Sequence, residues 1–132
     1  MTKILLVGFC FPDAQRLYVE LSTILKQEAK PLDNFAQLKD FLDKNKEVKV
    51  ILINMAINID KSNGFLILDF LKKNYPEIKV ILISSVEEFQ KSAIEKGAVL
   101  SFDLDLLINI VGEKREKEKQ KIIEKLETIV EE

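Results

Sequence analysis

The sequence has no histidine and only one cysteine, Cys10. Without histidine the chain lacks the side chain most used as general base and metal ligand near neutral pH. Serine–histidine and cysteine–histidine catalysis are therefore excluded by inventory. One cysteine closes no internal disulfide, so the cytoplasm is the expected compartment. Flanked by Phe9 and Phe11, this thiol is expected to be buried and inert. Positive charge is not in excess either: 20 basic residues stand against 22 acidic ones, a net charge of −2. Such a balance gives no field that draws a protein onto phosphate backbones, and nucleic acid is not an expected partner. The amino-terminal apolar run, Ile4 to Val7, is too short for a membrane span or a signal-peptide core, so no membrane partner is expected and the chain is read as starting at Met1. Any chemistry falls to carboxylates, lysines or a cofactor.

What is present is aliphatic and periodic. A chain of 132 residues with 47% hydrophobic content suits one domain with one core. Lys3-Ile4-Leu5-Leu6-Val7, ending at Gly8, has the continuous apolar character of a strand covered on both faces. Val48 to Asn54 and Ile78 to Ser84 repeat that character and each ends in a polar residue. Pro12 and Asp13 mark a helix entry, after which Ala14, Leu17, Tyr18, Leu21, Ile24 and Leu25 recur at helical spacing. Between Glu28 and Asp33 a short strand is expected at a sheet edge because of Pro31. Asp33 or Asn34 then caps a helix with Phe35, Leu38, Phe41 and Leu42 inward. A further helix opens at Gly64 and stops near Tyr75-Pro76, and a fourth runs from Glu87 to Lys96, with Gly97 as its carboxyl cap. Val99 to Phe102 reads as the last strand, followed by a helix from about Asp103. Strand and helix alternate five times through short connections, the pattern of a doubly wound α/β fold with a five-stranded parallel sheet. Ligands of such sheets sit beyond the carboxyl ends of the strands, which directs attention to Gly8–Phe11, Asn54–Met55 and Ser84–Ser85.

Taken together, Lys3–Val7, Val50–Asn54 with the following loop and Gly64, and Pro76–Ser85 followed by Ala93 and Lys96-Gly97-Ala98 resemble the receiver domains of bacterial response regulators. The resemblance spans 3–111 and implies strand order 2-1-3-4-5. It further implies a role in two-component signalling, where an aspartate accepts a phosphoryl group beside a magnesium ion. The positions matching the metal-binding acids are Gly8 and Phe9, and a phenyl ring cannot ligate a hard cation. The position matching the phospho-acceptor is Asn54, whose neutral amide is a poor nucleophile. The switch hydroxyl is matched by Ser84, although a serine is also an ordinary exit from a sheet. The lysine expected after the last strand is missing, as there is no lysine or arginine between Gly97 and Gly112. The loop from Asn54 to Gly64 is about two residues longer than the family's usual one and lacks its proline. Metal ligands, nucleophile and lysine are lost together, so the expected function is a phosphorylation-independent protein-interaction module, with no enzyme activity, metal or cofactor. Its expected output face, carried over from the family, is Glu87–Lys96, Val99–Phe102 and Leu104–Val111, with Phe89, Phe102 and Leu107 as candidate contacts.

Two other readings stay open. A flavodoxin-like sheet also serves flavin or nucleotide binding, but Gly8-Phe9-Cys10-Phe11-Pro12 is a poor phosphate cradle with its single glycine. A receiver phosphorylated on an unusual acid, Asp13 or Asp60, is the second.

The boundary of the receiver-like part is placed at Gly112, with 113–132 as a charged and amphipathic helical extension. Its stripe of Ile122, Ile123, Leu126, Ile129 and Val130 follows a block of interleaved lysines and glutamates with no apolar face. Gly112 is a candidate hinge. The extension is expected to project from the domain and needs a partner surface, being too short to persist alone. That surface is its own domain, another protein or a second copy; a homodimer through this helix, with Ile122, Leu126 and Ile129 in the contact, is the leading expectation.

Overall fold

The computed structural model describes residues 3–55, 63–108 and 113–131. Five strands, β1 (Ile4–Val7), β2 (Ala29–Leu32), β3 (Val50–Asn54), β4 (Lys79–Ile83) and β5 (Leu100–Phe102), alternate with helices. They form one sheet in the order β2-β1-β3-β4-β5, and every pairing is parallel. The helices are α1 (Phe11–Ile24), α2 (Phe35–Lys44), α3 (Gly64–Asn74), α4 (Glu87–Glu95), a single turn α5 (Asp105–Ile108) and α6 (Glu113–Glu131).

The period of two along each strand divides the core into two layers. Ile4, Leu6, Val50, Leu52, Ile81 and Ile83 face Leu17 and Leu21 of α1 and the apolar stripe of α6. Their neighbours Leu5, Val7, Ile51, Ile53, Val80 and Leu82 face α2, α3 and Ala93 of α4. Burial on both sides is why these strands read as unbroken aliphatic runs instead of alternating ones. Pro31 sits where its missing N–H is harmless, on the edge strand β2.

Local signals set the helix ends. The Asn34 side chain accepts from the Gln37 N–H at 2.9 Å, and Gln37 Oε1 in turn accepts from the Asp33 N–H at 2.8 Å. Asn63 caps α3 by accepting from the Leu66 N–H at 3.0 Å. A Cβ on Gly64 would lie 2.9 Å from Leu82 Cδ1 and 3.0 Å from Met55 Cα, so only glycine lets α3 start this close to the sheet.

The expectation that the last helix projects does not hold. Ile122, Ile123 and Leu126 are buried in the α1-side core, with Ile129 and Val130 packed against it. Lys119 meets Glu20 of α1 at 3.4 Å, and Lys79 at the start of β4 donates to the Ile129 carbonyl at 3.3 Å. This second contact supplies positive charge to a helix end whose own last turn has no basic residue. Of the helix expected from about Asp103, the described part is α5, Asp105–Ile108, and α6 also covers this side of the sheet; Gly112 lies outside the described residues. Tyr18, placed inward by its spacing, is instead exposed, and so is Cys10, which was expected to be buried.

Candidate functional site

At the carboxyl ends of β1, β3 and β4 the polar groups satisfy one another. Gly8 turns the chain out of β1 with φ +80°, a conformation glycine adopts without strain. Its N–H donates to the Leu32 carbonyl at 2.9 Å, and its carbonyl accepts from Asn54 Nδ2 at 3.0 Å. The amide of Asn54 thus ties the end of β3 to the end of β1. The Met55 N–H donates to the Ile83 carbonyl at 3.0 Å, and the Met55 carbonyl accepts from the Gly64 N–H at 2.9 Å.

Phe9 turns its ring into the α1-side core and is only 8% exposed. Ser84, at 7% exposure, is the one buried polar residue among those described. Its Oγ accepts from the Val86 N–H at 3.1 Å, its N–H donates to the Phe102 carbonyl at 3.1 Å, and Gln90 Nε2 donates to its carbonyl at 2.6 Å. The turn between β4 and α4 is therefore held from three sides. Ser101 on β5 is engaged within the sheet, with Oγ donating to the Leu82 carbonyl at 2.7 Å.

Of the positions matched through the resemblance, Gly8 and Asn54 meet through their hydrogen bond, with Phe9 next in the chain and its ring in the core. Beyond β5 come Asp103, whose Oδ1 accepts from the Asp105 N–H at 3.1 Å, and Leu104. Asp13 lies in the first turn of α1, while Asp60 falls outside the described residues. Among the described residues no three acidic, histidine or cysteine side chains cluster as a metal site.

Chains with known structures share this architecture. A signal receiver domain of a DNA-binding response regulator from Colwellia psychrerythraea 34H superposes with a TM-score of 0.77 at 18% identity, covering 100% of both chains. The fold is that of a receiver domain. The receiver domain of an HD domain-containing protein from Pseudomonas fluorescens Pf-5 gives 0.70 at 20% identity, over 99% of this chain and 98% of that one. A response regulator from Thermotoga maritima gives 0.66 at 11% identity, over 100% of both. Neither a protein-family model nor a curated protein sequence matches the chain.

A receiver fold implies a magnesium ion at the acidic positions after β1, and the residues present do not fit one. Gly8 has no side chain, the Phe9 ring belongs to the core, and the Gly8 carbonyl faces an N–H donor, where a cation would demand a free lone pair. Of the six candidate contact residues, Phe102, Leu107, Ile122 and Leu126 are buried and Ile129 is half-covered. Ile122, Ile123 and Leu126 of the α6 stripe are packed inside their own chain. Only Phe89 reaches the surface, 39% exposed, with its ring edge-on to Phe65 at 5.8 Å between centroids.

Sequence reasoning missed a hollow between α1 and β2, lined by Phe9, Phe11, Ala14, Tyr18 and Pro31. The signal was present as a second stripe on α1, Phe11-Gln15-Tyr18, at helical spacing beside the inward one.

Proposed function

We propose that this chain is a receiver-fold signalling module that works by contact with another protein and does not take part in phosphoryl transfer. The observation that carries the reading is the Asn54–Gly8 hydrogen bond at 3.0 Å, which fills the phospho-acceptor position with an internally paired amide. No acyl phosphate forms on an amide, and the buried Phe9 offers no charge to hold a phosphoryl group's counter-ion. The module acts on its partner without catalysing a reaction of its own.

Support for a contact surface comes from α3, α4 and the approach to β5. Leu66, Val86, Phe89, Ile94 and Val99 are all exposed large apolar residues on these adjoining segments. Exposed apolar side chains grouped in this way mark protein-interaction surfaces. The expected partner is a signalling or regulatory protein.

The test is an NMR titration of labelled protein with magnesium and then beryllofluoride, a stable mimic of an aspartyl phosphate. Amide resonances of Gly8, Asn54 and Ser84 are expected to stay in place through both additions. Saturable shifts at these residues would return the protein to phosphoryl chemistry and overturn the reading.

A further inference from the structure

The hollow between α1 and the edge strand β2 has a volume of about 270 Å³ and is lined by three aromatic residues, Phe9, Phe11 and Tyr18. Ala14, Gln15 and Pro31 complete its neutral wall, and Asp33 is the one charged residue in it. Phe9 and Asp33 are placed there by the sheet, since each follows one end of the hydrogen bond from the Gly8 N–H to the Leu32 carbonyl at 2.9 Å. Phe11 and Tyr18 stand two turns apart on one flank of α1.

The face of an aromatic ring carries partial negative charge and attracts a cation. Elsewhere on this molecule that attraction is met internally: Lys30, Lys39, Lys46 and Lys96 stand over the rings of Phe41, Phe35, Tyr75 and Phe65, between 4.5 and 5.9 Å from their centroids. Among the described residues no lysine or arginine stands over Phe9, Phe11 or Tyr18, and no ion pair engages Asp33. The basic residues of this region belong to other faces. Lys30 is in register with Leu5, on the side of the sheet turned to α2, whereas Pro31 is in register with Leu6, on the side turned to α1. Arg16 lines a separate hollow with Glu20 and Ile108. Rings without a cation and a carboxylate without a counter-charge thus share one concave wall. We propose that this hollow binds a small organic cation, an alkylated ammonium held by the aromatic rings and the Asp33 carboxylate.

Size and charge narrow the guest. The volume lies just under the roughly 300–1,000 Å³ of sites for drug-sized ligands, which suits one cationic head with a short apolar body. A neutral apolar molecule of the same shape would leave Asp33 unpaired, and an anion would be repelled by the carboxylate and by the ring faces. A guanidinium, with five N–H donors to satisfy, suits a wall with so few side-chain acceptors less well than an ammonium whose hydrogens are replaced by alkyl groups. The site shares no residue with the exposed apolar surface of α3 and α4, so it does not depend on the protein-contact reading.

The experiment is an NMR titration of the ¹⁵N-labelled full chain with choline and, separately, with 3,3-dimethyl-1-butanol, its neutral isostere, at millimolar concentrations. Choline is expected to cause saturable shifts concentrated at Phe9, Phe11, Tyr18 and Asp33, and to bind at least about threefold more tightly than the isostere. Asp33→Asn and Tyr18→Ala, both at exposed positions, are each expected to weaken choline binding about three- to thirtyfold. Should one of them fail to fold, the other carries the test. Asp13→Asn makes the same change of charge outside the wall of the hollow and is expected to leave binding unchanged. Equal binding of choline and its neutral isostere overturns the proposal. So does the absence of saturable shifts with choline, shifts centred on another part of the molecule, or a loss in Asp13→Asn as large as in Asp33→Asn.

Discussion

Asn54 shows how one atom exchanged for another changes what a strand end does. A carboxylate at this position would face the Gly8 carbonyl with lone pairs only, whereas the amide donates to it at 3.0 Å. Asn54→Asp is expected to lower stability by about 1–3 kcal/mol in urea unfolding at neutral pH, because a part-buried acceptor loses its donor and gains a charge. The loss should shrink as the pH falls towards about 4, because the protonated acid can donate its own hydrogen to the same carbonyl. An Asn54→Asp protein as stable as the parent at neutral pH would mean that the bond contributes nothing. The residue types at Gly8, Phe9 and Asn54 were legible in the sequence, since residue identity decides ligand chemistry. The hydrogen bond between Gly8 and Asn54 was not, because the two lie 46 residues apart and meet only through parallel pairing of β1 with β3. Cys10 and Tyr18 failed for a related reason: flanking phenylalanines and helical spacing do not say which way the first turn of α1 faces.

Among the elements, the helices with polar caps were the most readable. Asn34 and Asn63 each satisfy an N–H that would otherwise lack a partner at the start of α2 and α3. Asn34→Ala and Asn63→Ala are each expected to cost about 1 kcal/mol. The double variant should cost about their sum, since separated sites add. Calorimetric or denaturant unfolding measures all three, and a strongly non-additive double variant would show that the two caps are coupled. The strands were equally plain because burial on both faces leaves an aliphatic run with no polar interruption. The last helix was not plain. Its amphipathic stripe announced that something would cover it, but amphipathicity does not name the covering surface, and α1, β1, β3 and β4 are assembled only in the folded chain.

For the molecule as a whole, this covering makes α6 part of the fold. Ile122, Ile123 and Leu126 are each at most 8% exposed, and full burial of such side chains contributes about 1.5–3 kcal/mol apiece. Together they approach the total stability of an ordinary domain, about 5–15 kcal/mol. A chain ending at Gly112 is therefore expected to lose its dispersed NMR spectrum and cooperative unfolding, and Leu126→Ala alone to cost about 2–5 kcal/mol. A well-folded truncated chain would instead support the free-standing extension that the charge pattern suggested.

The sequence by itself determined the alternation of strands and helices, the parallel sheet and which residue types stand at the strand ends. Each of these depends on residue type and short-range period, which the chain carries locally. Only the tertiary structure decided that α6 lies on the sheet, that Asn54 bonds to Gly8, and that Phe11 stands beside a hollow while Phe102 and Leu107 lie inside. The physical reason is the same in each case: burial and pairing between distant segments are properties of the packed chain, set by which surfaces remain to be covered once the sheet has formed.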